Sequence, residues 1–201
     1  MLFRSALMVG YVMLTAFRDF RDNFGAEMFA ELGLGDQTAL FTRTEVPVAV
    51  VTLAVLGAMA WVRNHRAALM LCFGLMVVGM GVIAGSATLF EAGHIGGVAW
   101  MTLIGLGAYL AYVPFGSVLF DRILAHTRAT GTAVFAIYLL DAGGYTGSVV
   151  LQLTRDVAFG ASTRYAFFVD YCYLQAAAGL VLFAVAAAHF TSTRWTSERH
   201  T

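Results

Sequence analysis

Long apolar runs, separated by short charged turns, divide the chain into six stretches. Each is close to the roughly 20 residues that a helix needs to cross a bilayer. The pattern predicts helical spans at about 2–20, 46–62, 67–89, 95–120, 131–153 and 165–190. Between the first two, Met28, Phe29 and Leu32 alternate with Glu27 and Glu31 at helical spacing. That spacing predicts a short amphipathic helix lying in the membrane interface at about 25–34, ended by Gly33 and Gly35. The second span opens on Thr44-Glu-Val-Pro47, with Thr44 as the expected N-cap and Pro47 in the first turn. The third carries Gly74, Gly79, Gly81 and Gly85. It reads as a packing helix, with Gly81 and Gly85 as its small-residue seam.

Polar positions inside these spans are few, and their spacing is informative. In the fifth span Asp141, Tyr145, Ser148 and Gln152 fall at i, i+4, i+7 and i+11, on one stripe, with Tyr138 beside it. Gly143 and Gly147 lie on roughly the opposite face, where a neighbouring helix can approach closely. A carboxylate at mid-bilayer depth costs about 2.5–3.5 kcal/mol on insertion scales, so such groups usually face a bundle interior and carry function. Asp141 is therefore the leading candidate for a solute or proton pathway. The alternative is an aspartate satisfied by a neighbouring helix without a transport role. In the fourth span Tyr109 and Tyr112 share a face with Gly105 and Gly116, and Pro114 frees the carbonyl of Leu110. A kinked helix with a tyrosine face is a second candidate lining, against ordinary core packing of the two rings.

The first span ends in Arg18-Asp19-Phe-Arg21-Asp22. Two readings fit: a snorkelling collar at the interface, or a gate at one mouth of a cavity. Asp170, just inside the start of the sixth span, is the expected partner of Arg18 from another helix. Asp121 and Arg122 form a charged turn after the fourth span.

Composition agrees with the pattern. The 201 residues are 60% hydrophobic and 12% charged, with a mean hydropathy of +0.77, where a soluble domain has about 25% charged residues. Formal net charge is zero, which offers nothing to nucleic acid. Every basic residue other than histidine is arginine. Cys72 and Cys172 lie inside apolar runs and read as small core residues. No G-x-S-x-G, H-E-x-x-H or P-loop pattern occurs. No histidine stands deep enough in a span to activate a serine or ligate haem, and His189 reads as interfacial. The chemistry of an enzyme, a metal site or a cofactor is not expected.

Six spans place both termini on one side. Arg4, Arg63, Arg66, Arg122, Arg128, Arg194 and Arg199 fall there, against Arg18, Arg21, Arg43, Arg155 and Arg164 opposite. The positive-inside rule then puts the termini in the cytoplasm.

Six spans with both termini inside and an Asp121-Arg122 turn at a helix end resemble one half of a major facilitator superfamily transporter. Those carriers enclose their solute between two six-helix halves. The stretches Arg18-Asp-Phe-Arg-Asp22, Tyr109-Leu-Ala-Tyr-Val-Pro-Phe115 with Phe120-Asp-Arg122, and Asp141-Ala-Gly-Gly-Tyr-Thr-Gly-Ser148 resemble more closely the C-terminal half of an uncharacterised bacterial family of such membrane proteins. The resemblance covers nearly the whole chain. It implies that the first, second, fourth and fifth spans border a cavity while the third and sixth pack outside. The Gly-x-x-x-Asp-Arg loop of the superfamily does not carry over, since Gly116 stands five residues before Asp121 and the turn follows the fourth span.

The expectation is one all-α integral membrane domain over residues 1–201, built as six transmembrane helices, half of a major-facilitator-like bundle. Its expected partners are the lipid bilayer, a second six-helix half (in the same chain or in a dimer) and a small polar solute. Its expected place is a bacterial cytoplasmic membrane. The rival expectation is a non-transporting scaffold or a subunit of a larger membrane assembly.

Overall fold

In the computed structural model, residues 2–35, 37–115, 119, 133–158 and 162–192 are described. Regular structure among them is helical throughout. Helix α1 spans Leu2–Glu31, α2 Gln37–Ala60, α3 His65–Glu91, α4 Gly97–Pro114, α5 Ala133–Ala158 and α6 Arg164–Ser192. Four of these, α2, α3, α4 and α6, are long and apolar enough to cross a membrane. The other two, α1 and α5, are the helices that carry Arg18-Asp19-Phe-Arg21-Asp22 and Asp141.

Helix α1 has 30 residues, about 45 Å at 1.5 Å per residue. It runs through the segment expected to be a separate interfacial helix. Met28 and Phe29 are fully buried, and Phe29 meets the Phe41 ring edge-on at 5.7 Å. Burial of these side chains, rather than an interface, uses the apolar face of 25–31. Glu31 then accepts from the amides of Arg164 and Tyr165 at 3.0 and 2.9 Å. It thus caps the start of α6 with a negative charge at the positive end of the helix.

Helix α2 likewise starts earlier than expected, because Leu40 and Phe41 pack on α1. Thr44 is not its N-cap. The Thr44 hydroxyl lies inside the helix, 3.1 Å from the carbonyls of Leu40 and Phe41. Pro47 is an interior proline. Asn64 caps α3, its Oδ1 accepting from Arg66 and Ala67. Gly93, at φ +72, lets the chain leave α3 while His94 N–H returns to the Leu89 carbonyl at 2.9 Å.

The tightest helix pair is α3 with α4. A Cβ on Gly79 would stand 2.4 Å from the Gly107 carbonyl oxygen, and one on Gly107 2.6 Å from that of Gly79. The seam therefore uses Gly79. Gly81 and Gly85 have open space where a Cβ would go, so the small-residue seam expected there is displaced by half a turn.

The helices form two rows. In one, α2 packs on α4, α4 on α1, and α1 on α5; behind it, α3 packs on α4 and α6, and α6 on α1. Phe17 and Phe20 of α1 stack on Phe168 of α6, with centroids 4.9 and 5.5 Å apart. Trp100, Ile104, Met76, Met80 and Phe183 complete a fully buried core between the rows. On the far side, α4 and α1 lie between α2 and α5.

Candidate functional site

The middle of this row is polar because α1 carries a stripe of its own. Tyr11, Thr15, Arg18 and Asp22 fall at i, i+4, i+7 and i+11, the same spacing as the stripe on α5. The Tyr11 hydroxyl donates to Asp141 Oδ1. It also lies 3.1 Å from the Tyr112 hydroxyl, and the two rings stack at 5.4 Å. The Arg18 guanidinium sits over the Tyr112 ring at 4.3 Å and donates to Asp19 at 2.8 Å. That geometry combines a cation–π contact with a charge-assisted bond.

One turn further along α1, Arg21 is 2% exposed. Its fork donates to Asp22 at 2.9 Å, to Glu45 of α2 at 2.6 Å and to the Met101 carbonyl of α4 at 3.1 Å. Gly105 makes the room, since a Cβ there would stand 2.5 Å from Arg21 Nη2. The Tyr109 hydroxyl donates to Asp22 Oδ2 at 3.3 Å. Four helices, α1, α2, α4 and α5, thus contribute to one line of polar groups running from Asp141 to Glu45.

Helix α5 meets α1 through glycines. Cβ atoms on Gly144 and Gly147 would come within 2.7 Å of Thr15 and 2.8 Å of Val12. Ser148 is buried. Asp141 and Gln152 are partly buried, and Tyr145 and Tyr138 are 58% and 70% exposed. The expected stripe is therefore one flank of the helix that grades from the seam to the exposed surface. Asp141 sits where the two meet.

The other expected site residues divide. Arg18, Asp19, Arg21, Asp22, Tyr109 and Tyr112 join the network. Asp170 does not. It is exposed on α6, and Arg18 is paired with Asp19 and Tyr112 instead. The cause is the rotation of α1: its Phe17 and Phe20 face α6, which turns Arg18 towards α4. Pro114 is the last residue of α4. Asp121 and Arg122 lie outside the described residues. Tyr11, Glu45 and Gly105 are additions from the structure. The signal for Tyr11 was present, as the fourth member of a stripe with Thr15, Arg18 and Asp22.

Residues 2–193 match a family of unknown function, DUF5690. The chain belongs to this family. The match spans all six helices of the DUF5690 fold described above. No curated protein and no solved structure matches the chain. Among the described residues, no group of three or more His, Cys, Asp or Glu side chains is placed to hold a metal ion.

Proposed function

We propose that this DUF5690 chain is a secondary-transporter-like membrane domain that moves a small polar solute, with Asp141 exchanging protons along the path. The observation that carries this reading is the contact between Tyr11 and Asp141 where α5 meets α1. It ties the one carboxylate of α5's apolar half to Tyr112 and Arg18, about one turn along α1 from the Arg21–Glu45 pair. A carboxyl group so placed, on a helix flank that runs from a buried seam to exposed surface, fits the functional role usual for an acidic residue inside an apolar span.

The row of α2, α4, α1 and α5, with α3 and α6 behind, supports a likeness to half of a major facilitator carrier. On that reading all six helices span a bacterial cytoplasmic membrane with both termini inside. The outer side of this row then faces a second six-helix half, from the same polypeptide or a dimer partner. The scaffold reading has one observation in its favour: Tyr11 already satisfies Asp141.

The test is uptake by vesicles holding the purified chain, with a panel of labelled amino acids, sugars and amines and a trapped pH dye. Solute-dependent proton flux is expected, and Asp141→Asn should abolish it while the protein stays folded. Unchanged uptake and pH profile in the Asn variant would make Asp141 a packing residue.

A further inference from the structure

Helix α2 is fastened over its first turns and only loosely laid against the bundle over the rest, and Pro47 divides the two parts. Before Pro47, Leu40 and Thr44 are buried, and the Phe41 ring meets Phe29 of α1 at 5.7 Å. Glu45 accepts from Arg21 at 2.6 Å, and Arg21 is itself held by the Met101 carbonyl of α4 at 3.1 Å. Three helices therefore meet at one buried guanidinium. Here α2 cannot shift without breaking charge-assisted bonds.

Beyond Pro47 the packing thins. Within residues 48–60 only Val48, Thr52 and Met59 are buried, while Val50, Val51 and Leu53 are exposed. Of the four helices apolar enough to cross a membrane, α2 is the least buried. The one neighbour on which it packs extensively is α4. Even there, a groove of about 360 Å³ runs between Val48, Thr52 and Leu56 of α2 and Tyr109 and Val113 of α4. Few buried apolar contacts mark a segment of low local stability, and the groove leaves this one room to move towards α4.

The joint is soft for two reasons. Pro47 has no amide hydrogen, so the carbonyl of Arg43 loses its helical partner, and the proline ring crowds that carbonyl. In the preceding turn the Thr44 hydroxyl lies 3.1 Å from the carbonyls of Leu40 and Phe41, a back-bond that itself bends helices. Pro47 is exposed, so packing does not call for its ring.

We infer that residues 48–60 form a hinged arm that swings about Pro47, closing and opening the groove against α4, with the Arg21–Glu45 pair as its fixed pivot. At 1.5 Å per residue the arm is about 20 Å long, and a change of about 20° in bend carries its end by about 7 Å. Closure covers the Tyr109 ring, whose hydroxyl donates to Asp22. The arm thus controls access to that end of the polar network.

The experiment is distance measurement between pairs of nitroxide labels by pulsed electron paramagnetic resonance, on the full chain in nanodiscs. Cys72 and Cys172 are fully buried and stay unlabelled. One label sits at Val78, exposed on α3, the helix locked to α4 where Gly79 meets Gly107. The second sits at Arg43, before the joint, or at Ala58, beyond it, both exposed. The pair from Arg43 should give one narrow distance. The pair from Ala58 should be spread or split by about 5 Å. Pro47→Ala restores the amide and should collapse that spread to one narrow distance. Leu56→Trp fills the groove and should remove the closed member of the distribution. Both variants should leave the distance from Arg43 unchanged, which also reports an intact fold. Equally narrow distances from both positions in the wild type, or a spread at Ala58 that survives Pro47→Ala, overturns the proposal. Motion of the arm is read without transport. Uptake with a rigid arm removes only the hinge, whereas a moving arm without uptake supports the hinge and removes only transport.

Discussion

The Tyr11 hydroxyl of α1 donates to the Asp141 carboxylate of α5 beside a glycine seam. Of the other helices, α1 is the one that α5 packs on extensively, so this bond bears directly on how firmly that wall is held. Tyr11→Phe keeps the ring, which stacks on Tyr112 and meets Phe115 edge-on at 5.2 Å. It removes only the donor. Stability in detergent should fall by about 1.5–3 kcal/mol, the range for a bond to a charged group. Asp141→Leu in the Tyr11→Phe background should then cost less than in the wild type, giving a coupling energy of about 1–2 kcal/mol. Additive losses in chemical unfolding would mean that the bond holds nothing.

The seam between α3 and α4 yields a sharper contrast. Gly107→Ala drives a methyl against the Gly79 carbonyl, a backbone atom that cannot swing aside. Overpacking of that kind costs about 1–3 kcal/mol. Gly81→Ala, on the same helix as Gly79 but facing open space, should be neutral or stabilising by about 0.5–1 kcal/mol through helix propensity. Thermal melts of the two variants check this, and equal losses would refute the placement of the seam.

Apolar patterning was enough to read the helices, because a long apolar run satisfies its backbone polar groups most readily within a helix. Their ends were harder. Residues 25–34 read as a separate interfacial helix, and 37–44 fell outside the expected spans. The first continues α1 and the second opens α2, with Met28, Phe29 and Leu40 buried and Phe29 against Phe41. The Asp141 stripe was legible as a stripe, since its four members lie on one helix. Its partner was not, because Tyr11, although on a stripe with Thr15, Arg18 and Asp22, carries no mark of which helix it will meet. Glu45 was hidden for a related reason: two residues before Pro47, it reads as the first turn of a helix that in fact began at Gln37.

The same limit explains the choice of Asp170 for Arg18. The two are at similar depth by residue count, but depth says nothing of rotation. With Phe17 against Phe168 and Tyr171, Arg18 is turned from α6 to α4, where Asp19 and the Tyr112 face neutralise it. The charge-swapped double variant, Arg18→Asp with Asp170→Arg, should therefore show no rescue. Arg18→Asp alone removes the cation over Tyr112 and sets a second carboxylate beside Asp19, a loss of about 1–3 kcal/mol. Asp170→Arg alone, at an exposed position, should stay within about 0.5 kcal/mol of wild type. The double variant should match the sum of the two. Recovery of stability or of uptake in the double variant would place Arg18 against α6 and overturn the orientation of α1 on which the polar network depends.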